Sequence, residues 1–284
     1  MTETKMNVTL LAHTQLSDKF YDSFDEHNEF LEYTGNKLAN LNATDGQAVA
    51  LSAIRTCYSA NKPSEIVAKE GAKYFGSKAT DGKGGTEADR LIRQIVASKH
   101  VSTLEHLTYT FSVEGISRVL LAQLTRHRVG FSFSVQSQRY VRMGSDDKIG
   151  GFDCVVPDSI KDSTKSEEFI AGYNYDREDD EYYPLKKTLT ASNVFDEIMD
   201  DLQSAYDRLR KLGIPAEDAR AVLPQAAATN LVLTGNLRSL LDFYSKRKTG
   251  NGAQKEIADL AESLKDEVIV VEPWVKPFFE GEAE

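Results

Sequence analysis

Apolar and polar positions along this chain switch between two periods, and each switch marks an element. Residues 6–12 (MNVTLLA) are β-branched and apolar, as in a first strand. Residues 47–58 (QAVALSAIRTCY) carry helical spacing, which puts Cys57 among core positions. Residues 72–85 contain a glycine-rich loop. Thr86 then stands where an N-cap would open a helix over 87–98, with acid in its first turn. Residues 107–114 (LTYTFSVE) alternate, as a half-buried strand does. A turn at Gly115 is expected to lead into a helix over 116–127, and 129–141 reads as a loop or short strands. Further on, the pattern predicts a helix over 186–212 and a short one over 215–222 begun by Pro215. A strand over 229–234 and helices over 237–248 and 254–266 complete the set. No repeat or low-complexity linker interrupts them. The expectation is an α+β fold in one domain, 1–284, with an insertion at about 142–196.

Two helices carry polar groups on their apolar sides. At about 100° per residue, Ile116, Val119, Leu120 and Leu124 form one stripe, with Gln123 and His127 on it and Arg126 at its edge. Arg118 and Arg128 point elsewhere. On the later helix Leu240, Phe243 and Tyr244 form a stripe that Arg247 shares, while Asn236 stands at the N-cap position. Arg238 and Asp242 are four apart and suit a surface ion pair. Buried polar groups need partners, so these residues line a pocket, a subunit interface or a satisfied core network.

Composition narrows the options. The 284 residues are 40% hydrophobic, enough for a folded core. Lys and Arg number 34 against 44 Asp and Glu, a net −10, which disfavours sequence-independent duplex binding. The segment 161–183 holds eight acids and three bases and reads as a solvated surface. The two cysteines, Cys57 and Cys154, form no CxxC pair, so neither a disulfide scaffold nor a zinc ribbon is signalled. His13, His27 and His100 have no HxxxH or HExxH partner, and no metal is expected. GxGxxG, GxxxxGK[ST] and GxSxG are all absent. The N-terminus has no signal-peptide pattern and no run suits a membrane span, so a cytoplasmic protein is expected.

Within this acidic chain, residues 116–141 contain Arg118, Arg126, Arg128 and Arg139 and no acid at all. Such segregation suggests a site for phosphate or carboxylate groups, which arginine recognises with a forked geometry. The loop that follows offers Ser132, Ser134, Ser137, Gln138 and Tyr140 around Arg139. Arg126-His127-Arg128 followed by Ser137-Gln138-Arg139-Tyr140 resembles the signature of the flavin-dependent thymidylate synthases, the ThyX family. LLAHT (10–14), SAIRTCYS (52–59), STLEHLTYTF (102–111), ARAVLP (219–224) and NLRSLLDF (236–243) resemble family segments in the same order. The spacer Val129–Gln136 has eight residues where the family usually has seven, and Asp242 stands where many relatives have Asn.

The resemblance implies a mainly antiparallel sheet flanked by helices, with no Rossmann unit. It implies reductive methylation of dUMP to dTMP, with methylenetetrahydrofolate as carbon donor and NADPH-reduced FAD as hydride source. It implies a homotetramer whose active sites are built at subunit interfaces. By position, Arg126, His127, Arg128, Asn236, Arg238 and Asp242 match flavin contacts, and His106 matches a residue near flavin and folate. Gln123, Arg126, Ser137, Gln138, Arg139, Arg220 and Arg247 match dUMP contacts. Arg247, Ser137 and His106 are the expected catalytic set, with Arg247 polarising the pyrimidine ring. The alternative is a catalytically silent homologue that still binds flavin or nucleotide.

Overall fold

In a computed structural model, residues 2–21 and 43–281 are described; His27 lies outside them. Strand β1 is Asn7–His13. Helix α1 (Asp45–Thr56) starts at a capping box in which Thr44 and Gln47 bond each other's backbone amides. Helix α2 (Ile66–Phe75) follows, and α3 (Glu87–Ala97) starts at a second capping box, Thr86 with Asp89. A 3-10 helix at Val101–His106 precedes β2 (Thr108–Ser117). Then come α4 (Arg118–Leu124), β3 (Phe131–Val135), β4 (Ser166–Asp176) and β5 (Glu181–Thr190). The chain continues through α5 (Ala191–Lys211), β6 (Ala228–Asn236), α6 (Leu237–Arg247) and α7 (Lys255–Val271). One sheet runs in the order β1-β2-β6-β3, and β4 pairs antiparallel with β5. The class is α+β with antiparallel sheets, as expected.

The described residues form two compact units. One comprises residues 7–113, 123–134 and 231–284; the other comprises 1–6, 114–122 and 135–230. The first buries Leu51 and Ile54 of α1, Ile92 of α3, Phe111 of β2, Phe243 of α6 and Leu260 of α7. The core of the second gathers Met143, Phe152, Cys154, Met199, Tyr206 and Ala227. Buried Gln203 is fully used there: its Oε1 accepts from the Phe152 amide, and its Nε2 donates to Met143 O, each at 2.9 Å.

Several expectations need correction. β2 runs through Gly115 instead of turning there. Gly115 sits at φ +66° inside the strand, where a Cβ would fall 2.5 Å from the Lys5 carbonyl. Helix α4 is accordingly shorter than 116–127. Ser117 Oγ accepts from the Leu120 amide at 3.0 Å and starts it, and i to i+3 bonds from Arg126 and His127 end it after Leu124. Cys57 is exposed at the C-cap of α1, not core, because the helix stops one residue before it. Residues 186–190 are strand; the helix begins only after Thr190, which caps it with Asn193. Pro215 sits one position before the short helix Ala216–Ala219 instead of inside it.

The acidic insertion contains the β4–β5 ribbon, whose residues are exposed along most of both strands. Ile170, Tyr173, Tyr175 and Tyr182 share one face, and the Tyr175 and Tyr182 rings lie 5.0 Å apart.

Candidate active site

In the first unit, the segment after α4 and the start of α6 come together at Gly130. Its carbonyl accepts from the Asn236 amide at 3.2 Å, and its φ is +71°. Asn236 caps α6 as expected, its Oδ1 accepting from the Ser239 amide at 2.9 Å. The Leu237 amide bonds Leu107 O at 2.8 Å, which fastens α6 beside the turn carrying Glu105 and His106. Arg238 pairs with Glu105 and not with Asp242; Asp242 instead pairs with Lys246 at 2.7 Å. His106 is exposed.

The RHR segment does not continue the helical stripe. Arg126 and Arg128 are exposed and make no ion pair among the described residues. Gln123 is half-buried, with its Nε2 2.5 Å from Gln254 Oε1. His127 is half-buried and accepts at Nε2 from Arg247 Nε, 3.1 Å away. The Phe243 ring meets its imidazole edge-on at 4.9 Å. Burial first, then the Arg247 and Lys246 charges, hold His127 below its usual pKa, with Asp242 opposing.

The second unit holds the other arginines. Ser137 Oγ accepts from the Arg139 amide at 3.2 Å, shaping the tight loop that precedes Tyr140. Gln138 is buried, and its Nε2 has no hydrogen-bond partner. Arg139 pairs with Glu217 at 2.5 Å and lies over the Tyr140 ring at 5.5 Å. Together with Arg142 and Arg210 these residues line a cavity of about 300 Å³. Arg210 is anchored on the Ile214 carbonyl, while Arg142 makes no ion pair among the described residues. Three guanidiniums and one carboxylate leave the lining at +2, a match for a phosphate dianion. Arg220 donates from Nε to Glu217 O at 2.9 Å. Burial and the Arg220 charge lower the pKa of Arg118, so two like charges lie near each other. Arg142, Arg210, Glu217 and Glu105 are absent from the sequence-derived site. Arg142 lies two residues past the motif, Glu217 three before Arg220 and Glu105 directly before His106, while Arg210 has no such local signal.

The family model described as "Thymidylate synthase complementing protein" matches residues 39–274. A flavin-dependent thymidylate synthase of Geobacter sulfurreducens is 34% identical over 79% of this chain and 78% of its own. That of Clostridium tetani is 30% identical over 86% and 83%. The chain belongs to the flavin-dependent thymidylate synthase family. A solved structure of the UMP/dUMP methylase PolB from Streptomyces cacaoi, bound with 5-Br dUMP, has the same fold. Its TM-score is 0.62 at 20% identity, over 99% of this chain and 96% of that one. The Arg126 and Arg128 guanidiniums carry no counter-ion among the described residues. A Cβ at Gly130 would sit 2.6 Å from Asn236 Nδ2, so only glycine permits this close approach of loop and helix start.

Proposed function

We propose that this chain catalyses the reductive methylation of dUMP to dTMP, as one catalytic domain acting in a homotetramer in the cytoplasm. Methylenetetrahydrofolate is the carbon donor. When bound, FAD reduced by NADPH supplies the hydride that completes the methyl group. The observation that carries the nucleotide part is the arginine pocket following the unpaired Gln138 amide. Its charge of +2 calls for an anionic ligand, and the neighbouring Gln138 in sequence has a buried Nε2 without an acceptor.

The roles divide between the two arginine sets. Ser137 and Arg139 hold the nucleotide phosphate, with Gln138 and Arg220 as further nucleotide contacts. Arg142 and Arg210 share the phosphate charge. Arg247 holds a pyrimidine oxygen and stabilises the negative charge that develops on it when C5 attacks carbon. Gln123 and Arg126 complete the nucleotide contacts. Arg126, His127, Arg128, Asn236 and Arg238 hold the flavin, and His106 lies near flavin and folate. Asp242 is a further flavin contact, and its carboxylate pairs with Lys246.

The deciding experiment is tritium release from dUMP labelled at C5. FAD, NADPH and methylenetetrahydrofolate are present and are then omitted in turn. Release that requires all three supports the reaction. Absence of release from a flavin-loaded protein refutes it and leaves the silent homologue.

A further inference from the structure

His127 and Arg247 are 120 residues apart in sequence and joined by one hydrogen bond, from Arg247 Nε to His127 Nε2 at 3.1 Å. An arginine has no acceptor and stays protonated, so Nε2 must be the acceptor. The imidazole is therefore neutral, with its proton on Nδ1. The edge-on Phe243 ring fixes the plane of the imidazole. We infer that His127 is a positioning residue for Arg247: by taking the Nε hydrogen it fixes the guanidinium plane and leaves the terminal amino groups for the ligand. The inference rests on the reading of Arg247 as the pyrimidine contact.

Three charged groups bear on the imidazole: Arg247, Lys246 and Asp242, all on α6. Arg126 and Arg128 flank it in sequence and are exposed. The two cations of α6 and burial all favour the neutral form, and Asp242 alone opposes. Protonation of His127 removes the acceptor and sets an imidazolium against a guanidinium. Arg247 is then released, and its terminal amino groups lose their fixed orientation. Nucleotide affinity is expected to fall as pH drops through the pKa of His127.

The test compares wild type with two substitutions in the full-length, flavin-loaded protein. His127→Gln offers a carbonyl oxygen near the position of Nε2 that accepts without titrating. His127→Phe keeps an aromatic ring against Phe243 but offers no acceptor. Affinity for dUMP is measured by calorimetry between pH 5 and 8, with flavin content recorded for each protein. The phosphate of dUMP itself titrates near pH 6. It does so equally in every protein, so the difference between profiles isolates His127. Wild type is expected to lose about tenfold relative to His127→Gln per pH unit below the His127 pKa. His127→Phe should bind weakly at every pH. Superimposable wild-type and His127→Gln profiles overturn the inference.

Nitrogen-15 NMR provides a second reading that does not depend on ligand. Wild type should show the Nδ1–H tautomer, and Arg247→Ala should raise the His127 pKa. A dominant Nε2–H tautomer overturns the inference even if a variant fails to fold. If wild type binds no dUMP at any pH, the nucleotide reading fails instead, and the tautomer still decides the pairing.

Discussion

The Asn236 amide donates to the Gly130 carbonyl at 3.2 Å, so the loop after RHR is held on the first residue before α6. Gly130 does this at φ +71°, and a Cβ would lie 2.0 Å from Ser239 Oγ. Gly130→Ala incurs a left-handed backbone cost of about 1–2 kcal/mol. It also disturbs the Asn236 cap, whose loss costs about 1 kcal/mol. A loss of about 2–3 kcal/mol in urea unfolding is expected, together with weakened flavin retention. Stability within 0.5 kcal/mol of wild type, a ~0.5 threshold typical of neutral surface changes, would contradict this packing.

The second prediction concerns the residues that the motif does not contain. Charge-assisted hydrogen bonds contribute about 1.5–3 kcal/mol each. Arg142→Ala with Arg210→Ala should therefore weaken dUMP binding by roughly 100-fold or more. Deoxyuridine, which has no phosphate, should bind both proteins alike. Equal loss for the two ligands would place these arginines outside the phosphate pocket.

What is legible in the sequence follows from how local each signal is. The start of α3 is legible because Thr86, Asp89 and the apolar stripe lie within one short window. The N-cap role of Asn236 is legible for the same reason. The β4–β5 ribbon is not. Exposed on both faces, its strands alternate only over Tyr173–Asp176, too short a run to mark a strand, and their pairing is set by partners such as Ile170 and Lys186. The phase argument for Arg126 fails because α4 ends at Leu124, where i to i+3 bonds replace the helix. Arg238 finds Glu105, 133 positions away, instead of its helical neighbour Asp242. The Arg210 side of the cavity likewise depends on tertiary proximity that no sequence spacing displays.

The ribbon supplies a third prediction. Ile170 and Lys186 are paired across it, so an Asn-Gly turn can replace residues 171–185 and close a shorter hairpin. No residue of the proposed site lies in the deleted stretch. The variant should fold and keep tritium release within about twofold of wild type, as expected for a surface change. A folded variant without turnover would assign the ribbon a part in catalysis.

The last prediction lies at Glu272, a carboxylate only 1% exposed in the first unit. It accepts from Thr44 Oγ1 and Trp274 Nε1 and packs so closely on Gly46 that a Cβ there would overlap it. It thus ties the start of α1 to the segment after α7. Desolvation raises its pKa above the ordinary 4.5, against the hydrogen bonds from Thr44 and Trp274 that lower it. The sign follows from linkage. An acid whose folded pKa is raised gives its stability below the unfolded value, and that stability is lost as pH rises through the folded value. Glu272→Gln stays neutral and escapes this loss. Its stability relative to wild type should therefore rise with pH above 4.5 and level off once wild-type Glu272 is ionised. Glu272→Ala leaves the Thr44 and Trp274 donors unpaired and should lose about 2–5 kcal/mol at any pH. Urea unfolding of the three proteins at several pH values measures both effects. A pH-independent difference between wild type and Glu272→Gln would show that this carboxyl does not change its ionisation on folding.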